Sequence, residues 1–298
     1  KRSLKMLTLP KVQATLEQAG RGQVTLPPEA SQEFIESVQQ AIDKQFNRGE
    51  SKPKLRMSGL GRPLCQQQMD LAGEKEPLEY TSFMRFVYGD MIESIAVLAM
   101  RLADIDIIEL QKSVELDLTD EIKIQGTLDL IMDDGTGPKV WDIKSASDFA
   151  FNHKFGTFGG YEKIKAEDTF GYIMQGYLYA TAVGLPFGGW IVVNKNNGEW
   201  TICHAPDDQE QDRQQAIDDA VSRAKYLTSN QPFKKGFRPE REIHKGEATG
   251  NMLMPRTCGF CGHKSKCWPK AVFAPKATSR AQSRPGAWYT TLKKESVV

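Results

Sequence analysis

Residues 124–144, IQGTLDLIMDDGTGPKVWDIK, constrain the fold more than any other stretch of the chain. Two short apolar runs flank the polar, Gly-rich segment Asp133-Asp134-Gly135-Thr136-Gly137-Pro138, a pattern that predicts a β-hairpin. Each run carries one acid among apolar residues, Asp129 in the first and Asp142 in the second. Lys144 follows Asp142 by two residues, and positions two apart on a strand point to one face. Asp142 and Lys144 therefore project together, and a paired strand brings Asp129 beside them. Two carboxylates and an ammonium on one sheet surface suit the holding of a hard cation and the activation of a water. A three-residue D-x-K match alone fits a solvent-facing strand equally well, so its weight depends on the rest of the chain.

Around this hairpin the periodicity alternates between helix and strand. Phe34, Ile35, Val38, Ile42 and Phe46 recur at helical spacing, with Ser31 as the expected cap. Residues 1–30 are polar with scattered Gly and Pro and are expected to be poorly ordered in part. A loop, RMSGLGRPLCQQQMD, holds Cys65. Residues 82–103 read as a long amphipathic helix with Glu93 within it, four residues after Gly89. SVELDL at 113–118 reads as a strand, 145–168 as a long aromatic and basic loop, 168–183 as a helix. Strands are expected at 189–193 and 199–204, and a helix from Asp207 to Leu227. Beyond Gln231 the chain reads as irregular up to a cysteine cluster. The order α-β-β-β-α-β-β-α gives an α/β class with a mixed sheet and helices on its faces.

A formal net charge of +1 says nothing about partners, but charge is unevenly placed. Residues 234–256 hold six basic side chains against three acidic ones, and residues 270–298 hold six against Glu295 alone. Either stretch suits a polyanion, and the second equally suits a solvated tail. No run approaches the length of a membrane span. The opening KRSLKMLTLPKVQ lacks the sustained apolar core of a signal peptide, so a reducing compartment is expected. Cysteines there serve as metal ligands or free thiols.

Cys258-Gly259-Phe260-Cys261, followed after five residues by Cys267, makes a partial metal site. A tetrahedral thiolate site needs a fourth ligand, and Cys65 is the candidate. Cys203, on an expected strand, reads as a small buried hydrophobe. Zinc with four Cys, or with three Cys and His263, and a 4Fe–4S cluster all fit this spacing. In each case the site would tie distant parts of the chain together.

Taken in order, Glu93 within Gly89-x-x-x-Glu93, Gly126-x-x-Asp129, Asp142-Ile143-Lys144 and Gln175-x-x-x-Tyr179 resemble the PD-(D/E)XK nuclease superfamily in its RecB-like branch. The split cysteines, Cys65 then Cys258, Cys261 and Cys267, resemble its iron–sulfur members. These include CRISPR-associated adaptation exonucleases, subunits of recombination nuclease-helicases and phage exonucleases. The opening Ser58-x-Leu60-Gly61-x-Pro63-x-Cys65 is similar to the phage versions. The resemblance covers residues 56–270. One departure is Asp142, where those members often carry Glu.

The resemblance implies a restriction-endonuclease-like core closed by a four-Cys cluster at residues 56–270. An N-terminal helical, partly disordered extension (1–55) precedes it and a basic tail (271–298) follows. It implies a metal-dependent DNA exonuclease of recombination, repair or phage DNA metabolism, in the cytoplasm of a bacterium or phage-infected cell. Asp129 and Asp142, the Ile143 carbonyl and Glu93 would bind Mg²⁺ or Mn²⁺, and Lys144 would orient or deprotonate the attacking water, its pKa lowered by the crowding metal. Gln175 and Tyr179 would position single-stranded DNA ends. Cys65, Cys258, Cys261 and Cys267 would hold a 4Fe–4S cluster, or Zn²⁺ instead. The ring-bearing loop, with Phe155, Phe158 and Tyr161, would stack unpaired bases. No G-x-x-x-x-G-K-[ST] motif is present, so any unwinding must come from a helicase or recombination partner. Two other classes fit: a catalytically idle nucleic-acid-binding module of the same fold, and a structural zinc protein.

Overall fold

The computed structural model describes residues 8–49, 52–74, 77–276 and 278–293. The expected hairpin is present as β2 (Lys123–Asp133) and β3 (Pro138–Ala146). Its turn explains the DDGTG sequence. The Asp133 carboxylate accepts the Gly135 and Gly137 N–H groups at 2.7 and 2.9 Å, and both glycines take positive φ, 88° and 112°.

The hairpin lies in a five-stranded mixed sheet of order β1-β2-β3-β4-β5. Here β1 is Asp106–Asp117, β4 is Phe187–Asn194 and β5 is Trp200–His204. Only β3 and β4 run parallel; the other neighbours are antiparallel. A parallel pair needs a long crossover, and this one contains a helical chain: α6 (Asp148–Ala150), a π-helical turn (Phe151–Phe155), α7 (Tyr161–Ala166) and α8 (Tyr172–Val183). Every residue of β4 is buried, which its FGGWIVVN composition predicts for a strand covered on both faces.

Two apolar clusters lie on the two faces. One joins Leu128, Val140, Trp190 and Val192 to Met174, Tyr177 and Leu178 of α8 and to the alanine stripe Ala216, Ala220 and Ala224 of α9 (Glu210–Thr228). The other joins Leu130, Trp141, Ile143 and Ile191 to Ala96, Ala99 and Met100 of α5 (Tyr80–Leu102) and to Val12 of α1 (Thr8–Gly20). The helix α2 (Pro28–Phe46) packs on α5, where Phe46 meets Phe83 edge to face at 5.0 Å.

Several elements differ from the sequence reading. α2 starts at Pro28, whose fixed φ suits the first helical position, so Ser31 lies inside the helix rather than capping it. Of the N-terminal stretch, residues 1–7 lie outside the described residues, and 8–20 form α1. β1 is extended on its N-terminal side by pairing of Asp106–Leu110 with Leu130–Asp133. The expected loop at 145–168 is largely helical. Its Phe151, Phe155 and Tyr161 are core residues, which removes Phe155 and Tyr161 from any base-stacking groove. Phe158 and Phe149 remain exposed, with His153 stacked on Phe158 and tilted against Phe149. The following helix begins at Tyr172 rather than Asp168, because the Asp168 carboxylate accepts the Tyr172 and Ile173 N–H groups at 2.9 and 2.8 Å and so caps it.

The described residues within 1–61 and 79–228 form the compact unit just described, with α3 (Met57–Leu60) inside it. The described residues within 62–78 and 229–298 form a second. Within the second, α4 (Leu64–Leu71) replaces the expected loop around Cys65. The segment expected to be irregular contains β6 (Glu240–His244) and β7 (Glu247–Leu253), joined by Lys245-Gly246 with both φ positive. The C-terminal stretch expected as a tail supplies β8 (Val272–Pro275) and β9 (Gly286–Thr291), and the four strands order β6-β7-β9-β8. Glu242 is buried there and accepts from Thr249, Asn251 and Tyr289 at 2.9, 2.8 and 3.0 Å. Those bonds hold its carboxyl below the ordinary range against the opposing effect of burial. Two short helices, α10 (Arg256–Gly259) and α11 (Lys264–Cys267), carry three of the cysteines or flank them. Among the described residues no helix is long and apolar enough to cross a membrane.

Candidate active site

The β2–β3 ladder stops at the pair Leu130–Trp141. One residue further along, Asp129 uses its side chain in place of the ladder and accepts the Ile143 N–H at 2.8 Å. On the β1 side the pairing skips the same residue: Leu110–Leu130 and Lys112–Leu128 are paired, and Gln111 opposite Asp129 turns to φ 47°. Asp129 thus sits where both neighbouring ladders open.

Asp142 and Lys144 share a face as their spacing requires, with Nζ 2.5 Å from the carboxylate. Asp142 is 3 % exposed, and its other oxygen accepts from Gln175 Nε2 of α8 at 3.3 Å. The structure therefore brings Asp129, Asp142, Lys144 and Gln175 together from two strands and one helix. Glu93 on α5 is hydrogen-bonded to the Gln111 amide rather than to any of these four. Its charge is still felt by Asp129.

The electrostatics follow from burial and crowding. Burial pushes Asp129 well above the carboxylate range, and the neighbouring Asp142 and Glu93 push it further. Burial also pushes Glu93 up to about 7, with Lys44 opposing and Asp90 adding. Burial disfavours the Lys144 charge, but Asp142 and then Asp129 outweigh it and hold the ammonium above its ordinary value. The lowering expected for Lys144 belongs to the metal-loaded site, where a cation would draw the carboxylates away from the ammonium. A site with three acids and one ammonium is short of positive charge, and its oxygen donors suit a hard divalent cation. As the side chains stand, no three His, Cys, Asp or Glu groups among the described residues converge to hold one ion.

Tyr179 lies one turn beyond Gln175 and is 3 % exposed. Its ring covers Gly126, where a Cβ would come within 2.5 Å of the ring carbon. The G-x-x-D glycine and the Q-x-x-x-Y tyrosine are therefore two sides of one contact that sets how closely α8 approaches β2. Burial, followed by Asp129 and Asp142, raises the Tyr179 hydroxyl to about 12, so it stays protonated, hydrogen-bonded to Ser58. Gly126→Ala is expected to cost about 1–3 kcal/mol through overpacking, read as a lower melting temperature by calorimetry. Tyr179→Leu on that background is expected to recover part of the loss.

Tyr172 is a site residue that the sequence reading missed. Lys144 Nζ lies 5.3 Å from its ring centroid. The spacing 172, 175, 179 puts all three side chains on one helix face, a signal present in the sequence.

In the second unit, Cys65, Cys258, Cys261 and Cys267 line one pocket together with Met69, Lys235 and Trp268. All are free thiols. Cys203 is buried in β5, outside that pocket. His263 does not line it, and its Nε2 is 2.7 Å from Asp70 Oδ1. Burial raises the Cys258 thiol and pushes Cys261 up to about 11. Thiolates at these positions therefore need a compensating cation, although among the described residues no three of the sulfurs converge on one ion as the side chains stand.

No protein-family model matches the chain, and no curated protein matches it. Among solved structures it is similar to one described as "Crystal structure of SSO0001", at 11% identity and a TM-score of 0.44. That match covers 78% of this chain and 94% of the other. Similarity at that level transfers neither fold nor function.

Proposed function

We propose that the chain is a metal-dependent DNA exonuclease of the RecB-like PD-(D/E)XK type, built on a restriction-endonuclease-like core and carrying an iron–sulfur cluster on four cysteines. It would act in DNA recombination, repair or phage DNA metabolism. The observation that carries this reading is the buried contact set of Asp142 with Lys144 and Gln175 beside Asp129, at a point where the sheet ladder opens on both sides. Asp129, Asp142 and the Ile143 carbonyl would hold Mg²⁺ or Mn²⁺, with Glu93 joining directly or through water. When bound, such a cation supplies charge stabilisation at the phosphoryl oxygens and acidifies a water. Lys144 acts as an ammonium that orients the attacking water and faces the developing negative charge. Gln175 fixes the Asp142 carboxylate, and Tyr179 fixes the height of α8 above β2. Cys65, Cys258, Cys261 and Cys267 would hold a 4Fe–4S cluster as a structural staple.

A buried site under a helix favours a single strand that enters by its end over a duplex, whose scissile phosphates lie on a wide rod. Linear single-stranded DNA is expected to be degraded in Mg²⁺ or Mn²⁺, while a closed circle of the same sequence resists. The assay is gel analysis of both substrates over time. Equal rates on the two would make the enzyme an endonuclease.

A further inference from the structure

Lys154 is a second cation near the site, and no motif accounts for it. It lies on the π-helical turn, whose Phe151 and Phe155 are buried in the core and so fix the turn in place. Its ammonium sits 4.2 Å from the Tyr172 ring centroid and 4.8 Å from that of Phe170. Tyr172 is the ring that Lys144 also approaches. Lys154 is half-buried and makes no ion pair or side-chain hydrogen bond among the described residues. Asp168 and Glu167 are the acids whose charge it feels. Asp168 is already committed, since its two oxygens cap α8, and Glu167 is exposed. A partly desolvated ammonium, held by aromatic faces and lacking an anion, is costly unless a ligand supplies one.

We propose that Lys154 is a phosphate anchor, holding a non-scissile phosphate of a polynucleotide strand whose cleaved phosphate lies at Asp142 and Lys144. This rests on the nuclease reading of the site. The anion is a phosphodiester rather than a carboxylate ligand because the Lys154 and Lys144 ammoniums both lie over the Tyr172 ring, two neighbouring cations suited to the repeating charge of a backbone.

The test pairs Lys154 variants of the full chain with single-stranded oligonucleotides, each carrying one neutral methylphosphonate. For wild type, the methylphosphonate at the anchored position is expected to raise KM about tenfold or more, the worth of a charged hydrogen bond. Lys154→Gln is expected to raise KM on unmodified DNA by a similar factor, to change kcat little, and to lose sensitivity at that one position. Lys154→Arg is expected to keep the wild-type pattern. The melting temperature of Lys154→Gln is expected to hold or rise, because an unpaired charge is removed; a drop would mark a structural role instead. Additive losses at every phosphate position would overturn the anchor and leave the nuclease assignment intact. Failure of wild type to cleave any of these substrates in Mg²⁺ or Mn²⁺ would overturn the nuclease reading, and the anchor with it.

Discussion

Asp142→Asn is expected to lower DNA cleavage about a thousandfold or more and to leave the fold in place. Asp142 makes the contact with Lys144, accepts from Gln175 and adds to the charge that drives Asp129 upward. Asparagine keeps the shape and an acceptor for Gln175, so a loss of activity reports the charge itself. The Lys144 ammonium keeps Asp129 as a neighbour in that variant, which limits the cost of breaking the pair. Asp142→Ala and Lys144→Ala should also abolish cleavage while DNA binding persists, because phosphate contacts elsewhere supply most of the affinity. Gel cleavage assays, circular dichroism and fluorescence anisotropy separate the three quantities. Undiminished cleavage by Asp142→Asn in metal-replete buffer would remove the site from the chemistry.

The second large effect is expected in the second unit. Both large apolar clusters draw all their members from the first unit. Among the described residues the second unit buries few hydrophobic side chains, Met69, Met254, Cys258 and Tyr289. The proposed four-cysteine cluster would supply the staple that so small a core calls for. Protein purified without oxygen is expected to be brown and to carry about four irons and four sulfides. Cys65→Ala is expected to lose the colour and most of the iron, and to open residues 229–293 to trypsin, because metal binding and folding are coupled. Cys203→Ala should keep the iron. A colourless protein with one zinc would replace the cluster with a zinc site while keeping the four ligands.

The hairpin was legible because its turn chemistry and its period-2 pattern agree, and the shared face of Asp142 and Lys144 follows from that period alone. Gln175 and Tyr179 were legible as helix neighbours, but the contact of Tyr179 with Gly126 is a tertiary fact. The bond from Gln111 to Glu93 depends on a residue leaving the strand conformation at φ 47°, which no pattern signals. The helical turns within 145–168 were hidden because a π-helical turn breaks the 3.6-residue period and Gly156, Gly159 and Gly160 read as loop. The strands of the second unit are four to seven residues long and mostly exposed or half-exposed, so they show no alternation. The pattern also leaves open whether the four cysteines would take iron or zinc, since both take the same donors.

The most direct measurement is cleavage of end-labelled linear single-stranded DNA by the purified full chain, with Mn²⁺ or Mg²⁺ and with EDTA. Release of short labelled products with either cation, none in EDTA, and none from Asp142→Asn is the result expected of a metal-dependent nuclease centred on Asp129, Asp142 and Lys144. Intact substrate in the presence of both cations, or equal cleavage in EDTA, would contradict it.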